Sequence, residues 1–374
     1  MKKNNNLKLI ALSIALILNF SISAEYLYSA SLTNKKNVKK LSVAHEYIQT
    51  GKRYFKTHQY KRAFKYLETA LNKVIKKYGK YNLEVAKLSS YIALKYQKYY
   101  LHKEAVEHFR KTISIRIKLL GRNHNLTKES VCNSVNTLVE LKRFKKTKDC
   151  LDKLLKFFLE QKEKNYKYIT GIYDVYSKYY IKRAKYNLAL KYAKKSLKLK
   201  LKVFGKKSKE TAKSYFILGI VLCRIKQFEN SEKYFKKCLT IIFSLFGEKH
   251  EYIFESYGRM SLLYLEWKKV EKAMNICNKA IRIGNKIFYK YHTNIAGINF
   301  VKGTIYLYFE KYYKALKYCQ KALQIAKNNW GDGNKKSMIN LISFFIRYVK
   351  KEIKTLEKKL EKNKRKNIDN PFGK

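Results

Sequence analysis

Hydrophobic and polar positions along the chain alternate with the period of amphipathic helices. Tyr215, Leu218, Gly219 and Leu222 fall at i, i+3, i+4 and i+7, one stripe of a helix that Phe228 closes. Ser231, Phe235, Cys238 and Ile242 mark a second stripe of the same period. Two antiparallel helices are predicted, approaching closely where Gly219 and Ser231 leave no room for a large side chain. A hairpin of this kind has an apolar face that only another hairpin can cover.

The same pattern recurs every 42 residues. Ala63, Ala105, Thr147, Ala189, Ser231, Ala273 and Ala315 are all small. Seven residues further on stand Ala70, Thr112, Leu154, Ser196, Cys238, Ala280 and Ala322. Twelve residues before the first column lie Gly51, Ala93, Val135, Ser177, Gly219, Ser261 and Gly303. Tyr54, Tyr96, Leu138, Tyr180, Leu222, Tyr264 and Tyr306 form a mostly aromatic column, expected to fill the space between neighbouring hairpins. Seven uninterrupted repeats over 44–337 follow, and one proline in 374 residues fits an all-α chain.

The spacing resembles the tetratricopeptide repeat, aromatic-x2-Leu-Gly-x2-Tyr followed by Ala-x3-Phe. Repeat five matches through Tyr215, Leu218, Gly219, Leu222, Ser231 and Phe235; repeat two supplies Ala93, Tyr96, Ala105, Phe109 and Thr112. The period of 42 in place of 34 resembles the kinesin-light-chain variety, as does a Gly followed three residues later by His at Gly121-His124 and Gly247-His250. Tyr289-His292 keeps the His alone, and the Pro of that variety is replaced by Asn125, Glu251 and Thr293. Repeat three, with Val135, Leu138 and Leu154 at signature positions, matches least. The resemblance implies a right-handed superhelical solenoid of about seven repeats, with a peptide or protein segment bound on its concave face.

Carried onto this chain, the family's concave positions hold Lys52, Lys56, Lys87, Lys98, Lys178, Lys182, Lys213 and Arg224. They also hold Glu129, Glu140, Asp174, Glu255 and Glu266. Phe55, Phe216, Phe300 and Tyr308 are the apolar anchors expected there. Basic positions dominate repeats one and two through Lys52, Lys56, Lys87 and Lys98. Motor-cargo adaptation does not carry over, because no heptads precede the repeats.

The flanks differ from the repeats. Residues 1–24 carry a basic start, an uncharged run from Leu9 to Ala24 and small residues at Ser23-Ala24. That is the anatomy of a secretory signal peptide, with an uncleaved membrane anchor or a buried helix as alternatives. Export to a periplasmic, extracellular or lumenal space is the matching expectation. Residues 25–43 read as a mobile basic lead. Ile342, Ile346, Val349, Ile353, Leu356 and Leu360 define an amphipathic capping helix over 338–361 (or a short coiled coil), followed by a disordered basic tail over 362–374.

Charge changes the picture only in part. Eighty-four Lys and Arg face 27 Asp and Glu, a net charge of +57. Lys, Asn, Tyr and Ile all have A/T-rich codons, so much of the excess reads as lysine at solvated positions. The alternative is an exported protein binding an anionic surface (envelope, lipid or nucleic acid) through its convex lysines. Scarce arginine counts against nucleic acid, and the concave positions are no more basic than the chain as a whole.

Catalytic signatures are missing from the sequence. It has no Gly-rich phosphate loop, nucleophile elbow or zinc spacing, and no enzyme activity, cofactor or metal is expected. His124, His250 and His292 lie in separate inter-repeat loops and are expected to brace helix ends. Cys132, Cys150, Cys223, Cys238, Cys277 and Cys319 read as small buried hydrophobes, with a disulfide left open.

Overall fold

A computed structural model describes residues 44–99, 101–161, 165–288, 292–328 and 335–369. The expected signal segment and basic lead lie outside these residues. Fifteen helices and no strand occur among them, so the chain is all-α. Two compact units divide at Ile241/Ile242.

The first unit contains four complete hairpins, α1 (His45–Lys56) with α2 (Tyr60–Tyr78), α3 (Leu83–Lys98) with α4 (His102–Leu120), α5 (Asn125–Glu140) with α6 (Phe144–Glu160), and α7 (Tyr166–Lys182) with α8 (Tyr186–Phe204). It continues through α9 (Lys209–Arg224) and most of α10 (Phe228–Phe246). The second unit holds α11 (Glu251–Glu266) with α12 (Val270–Ile287), α13 (Thr293–Tyr308) with α14 (Tyr312–Asn328), and α15 (Lys335–Asp369). Each unit is a stack of tetratricopeptide-like hairpins.

The small-residue columns sit where the two helices of a hairpin meet. Ala63, Ala105, Thr147, Ala189, Ser231, Ala273 and Ala315 are fully buried. A Cβ built on Gly219 would come within 2.8 Å of the Phe235 ring, and one on Gly51 within 3.2 Å of the Ala63 carbonyl oxygen. Glycine at these points lets the backbones close in.

The turns repeat as strictly as the cores. In all seven hairpins, a backbone N–H beyond the first helix bonds the carbonyl five residues back, as in Gln59 to Tyr54, Lys185 to Tyr180 and Gln227 to Leu222, each at 2.9 Å. This is the Schellman arrangement, which requires a left-handed residue in the turn. His58, Lys142, Ala184, Lys226, Lys268 and Glu310 supply it at φ between 54° and 62°, and none is glycine. Phe228 therefore opens the second helix rather than closing the first, because the chain has already reversed at Lys226.

Between hairpins, Gly79, Gly121, Gly205 and Gly247 turn the chain at φ of 71–84°. Three residues later comes a side-chain cap. Nδ1 of His124, His250 and His292 accepts from the N–H two residues on, at 3.2, 3.1 and 3.1 Å. Asn82 and Ser208 cap at the same period. The histidines thus satisfy helix-end donors that would otherwise lack a partner.

Two expectations need correction. The Tyr54 column mostly packs within its own hairpin, on the ring twelve residues later: Tyr54 on Tyr66 at 5.3 Å, Tyr180 on Tyr192 at 5.5 Å, Tyr306 on Tyr318 at 5.4 Å. Tyr96 does reach the preceding hairpin, stacking on Phe64 at 4.0 Å. The C-terminal helix α15 begins before residue 338 and runs to Asp369, through most of the segment expected to be disordered. All six cysteines are free thiols, five of them buried. Burial pushes the Cys132, Cys277 and Cys319 thiols up to about 12.

Candidate functional site

The expected concave residues separate into two groups, those buried in the fold and those at least partly exposed. Phe216 and Phe300 are 1% and 2% exposed. Phe216 packs edge-on to Phe235 at 5.8 Å, and Phe300 edge-on to Phe345 at 5.2 Å. Both are core residues, which corrects their expected role as ligand anchors.

A ladder of buried polar contacts joins successive first helices in the middle of the first unit. Gln97 donates to Thr137 Oγ1 at 2.7 Å, and Lys178 Nζ to Asn136 Oδ1 at 3.2 Å. Lys182 pairs with Glu140 at 3.0 Å, both side chains only 9% exposed. Lys178 and Lys182 each contact the residue 42 positions earlier, so the period that suggested a shared groove instead pairs the groove residues with one another. Burial pushes the Glu140 carboxyl up, but the charges of Lys182, Lys178 and His102 outweigh this and hold it below its usual value.

Asp174 is equally committed. Lys200 reaches it at 2.6 Å with both side chains 4% exposed, and Ser196 donates to its other oxygen at 2.6 Å. Lys213 stands near this pair. Burial first, then the positive charges of Lys209 and Lys200, bring its ammonium down to about 8. Lys178, Lys182, Glu140 and Asp174 therefore belong to an internal polar layer, in which Lys182–Glu140 and Lys200–Asp174 are close ion pairs, whereas the charge of the neighbouring Lys213 is not compensated for its loss of water. Glu129 and Glu255 are buried too.

The remaining basic positions cluster at the first two hairpins. Lys52, Phe55 and Lys56 occupy the last two turns of α1, and Lys98 ends α3. Phe55 is half-buried and stacks on Tyr99 at 5.3 Å with an interplanar angle of 6°. Tyr60 lies 4.4 Å from Tyr99, and Lys95 sits 5.4 Å over the Phe55 ring. Lys56 and Lys98, next in sequence to Phe55 and Tyr99, are exposed, and Lys52 is partly exposed. Lys87 is held by Glu84 at 2.6 Å. Arg224 and Tyr308 are half-buried on α9 and α13, away from the cluster in sequence.

Tyr99, Lys95 and Lys200 were missed at the sequence level, since none falls on a concave position. The clue to Tyr99 was its place directly after Lys98, at the end of α3.

Tetratricopeptide-repeat profiles match residues 93–126, 176–242, 217–286 and 296–329. No curated protein matches the chain significantly. Among solved structures, the Rap conjugation gene regulator of the plasmid pLS20, in complex with the Phr* peptide, is 14% identical, covering 88% of this chain and 81% of that one at a TM-score of 0.53. A tetratricopeptide repeat protein from Parabacteroides merdae is 16% identical, covering 81% and 99%, at 0.50. A putative kinesin light chain from Podosopora anserina is 13% identical, covering 64% and 94%, at 0.35. At these identities the likeness to the first two is one of fold.

Proposed function

We propose that this chain, a tetratricopeptide-repeat protein, is a non-catalytic protein–protein interaction scaffold. In this reading its first two hairpins hold an acidic peptide segment bearing an aromatic or large apolar side chain. The observation that carries it is the half-buried Phe55–Tyr99 stack at the ends of α1 and α3, the same helix ends that carry Lys52, Lys56 and Lys98. An accessible ring pair offers a flat apolar contact for an incoming side chain, and the lysines offer carboxylates a partner. In the middle of the unit, Lys182 is already paired with Glu140 and Lys178 is buried against Asn136, so these two add little to a ligand. The peptide in the pLS20 regulator's structure supports the class of ligand.

Exposed ion pairs contribute about 0–1 kcal/mol each, so the lysines would orient a peptide more than hold it. The aromatic pair would supply most of the affinity. A random-peptide selection on the full chain tests this. Enriched sequences should combine acids with an aromatic residue and should lose binding on Phe55→Ala. Enrichment of basic peptides, or binding indifferent to Phe55, would sink the proposal.

A further inference from the structure

Helix α8 carries a second, separate charge feature. Lys191, Lys195, Lys198 and Lys202 stand at i, i+4, i+7 and i+11, which aligns them on one face over roughly 16 Å. All four are exposed, and α8 contains no acidic residue. Among the described residues, none of the four forms an ion pair. Lys195 alone has a cation–π neighbour, lying 5.9 Å over Tyr173 and 5.7 Å over Tyr192.

The neighbouring second helices are built differently. On α6, Asp152 takes Lys148 at 2.6 Å and Glu160 takes Lys156 at 3.8 Å. On α10, Glu232 takes Lys236 at 2.5 Å. Lysines three or four apart on a helix repel one another, so the α8 row is relieved only by an outside countercharge. The row is one helix wide, with acid-bearing second helices before and after it in the chain. An anionic plane such as a bilayer would meet those carboxylates together with the lysines. The row also lacks any guanidinium fork for bidentate phosphate contacts. A single acidic chain matches it best.

We propose that the outer face of α8 docks an acidic helical segment of a partner protein, its carboxylates spaced i, i+4, i+7 and i+11 against the four lysines. This surface is distinct from the Phe55–Tyr99 cluster, and either can fail without the other.

The probe is a labelled alanine-based peptide with glutamates at those four spacings, titrated into the full chain and followed by fluorescence anisotropy at low and physiological salt. A second peptide of equal charge, with its glutamates spread around the helix, is the control. The aligned peptide should bind at least about tenfold tighter than the control. Replacing all four lysines by Glu, or by Gln should the Glu variant lose its helical circular dichroism, should remove that advantage. The same reversal at Lys350, Lys354 and Lys358, exposed on α15, should change it less than about twofold. Equal affinity for both peptides overturns the proposal, as does equal loss in the two variants. So does an α8-dependent affinity for phosphatidylglycerol vesicles or oligothymidine that exceeds the affinity for the aligned peptide.

Discussion

Ser231 donates its hydroxyl to the main-chain oxygen of Gly219 at 2.7 Å, joining α9 and α10 where their backbones come closest. One hairpin earlier the polarity is reversed, with Ser177 donating to the Ala189 oxygen at 3.0 Å. The two columns twelve residues apart are thus small for one reason. The second helix lies against the first, and a hydroxyl fits between them where a larger side chain would not.

Gly219→Ala should therefore be costly although alanine favours helix. Its Cβ would press on the Phe235 ring, and overpacking of this kind costs about 1–3 kcal/mol. Ala189→Leu should cost a similar amount. Chemical denaturation checks both, and an unchanged midpoint for either variant would mean that the hairpin tolerates separation.

The turns predict opposite effects for two glycine changes. Lys226 is left-handed without being glycine, so Lys226→Gly should stabilise by up to about 1 kcal/mol. Gly205 has φ of 77°, and Gly205→Ala should destabilise by about 1 kcal/mol. Thermal melts of the pair would show the contrast. A shift of the same sign in both would contradict the turn assignment.

Lys213 gives a pH signature. Its folded-state value, about 8, lies below the ordinary 10.5, so folding disfavours its charged form. The resulting destabilisation is present at pH 7 and fades as pH rises from about 8 toward 10.5. Lys213→Met should stabilise the protein by about 1–3 kcal/mol at pH 7. That advantage should narrow in denaturation curves at pH 9 and 10, and a constant advantage would place Lys213 in solvent.

The Lys182–Glu140 pair should behave as a structural unit. Lys182→Met strands a buried carboxylate and should cost about 3–5 kcal/mol, whereas adding Glu140→Leu should recover much of that loss. A double-mutant cycle measures the coupling. Additive losses would show that the two groups do not depend on each other.

Much of this fold was legible in the residues themselves. The 42-residue recurrence of Ala63 and Gly51 located every hairpin, and the Gly121-His124 spacing marked a capped helix start. The left-handed turns were not legible, because His58, Ala184 and Lys226 share no chemistry and the backbone bond alone imposes their conformation. Which of the expected concave residues stay at the surface was not legible. Lys178 and Lys182 carry the same sequence signal as Lys52 and Lys56. Which lysines face solvent depends on how closely successive first helices approach, whereas Phe216 and Phe300 disappear into the core against Phe235 of the second helix and Phe345 of α15. Periodicity fixes what repeats, whereas the spacing between neighbours decides what remains exposed.

The most direct test of the scaffold reading is the affinity of a selected peptide for charge-reversed variants, measured by titration calorimetry. Lys52→Glu, Lys56→Glu and Lys98→Glu together should weaken binding about tenfold, with helical content unchanged. The same reversal at Lys350, Lys354 and Lys358 on α15 should leave it within about twofold. Equal losses in the two variants would contradict a binding face at the first two hairpins.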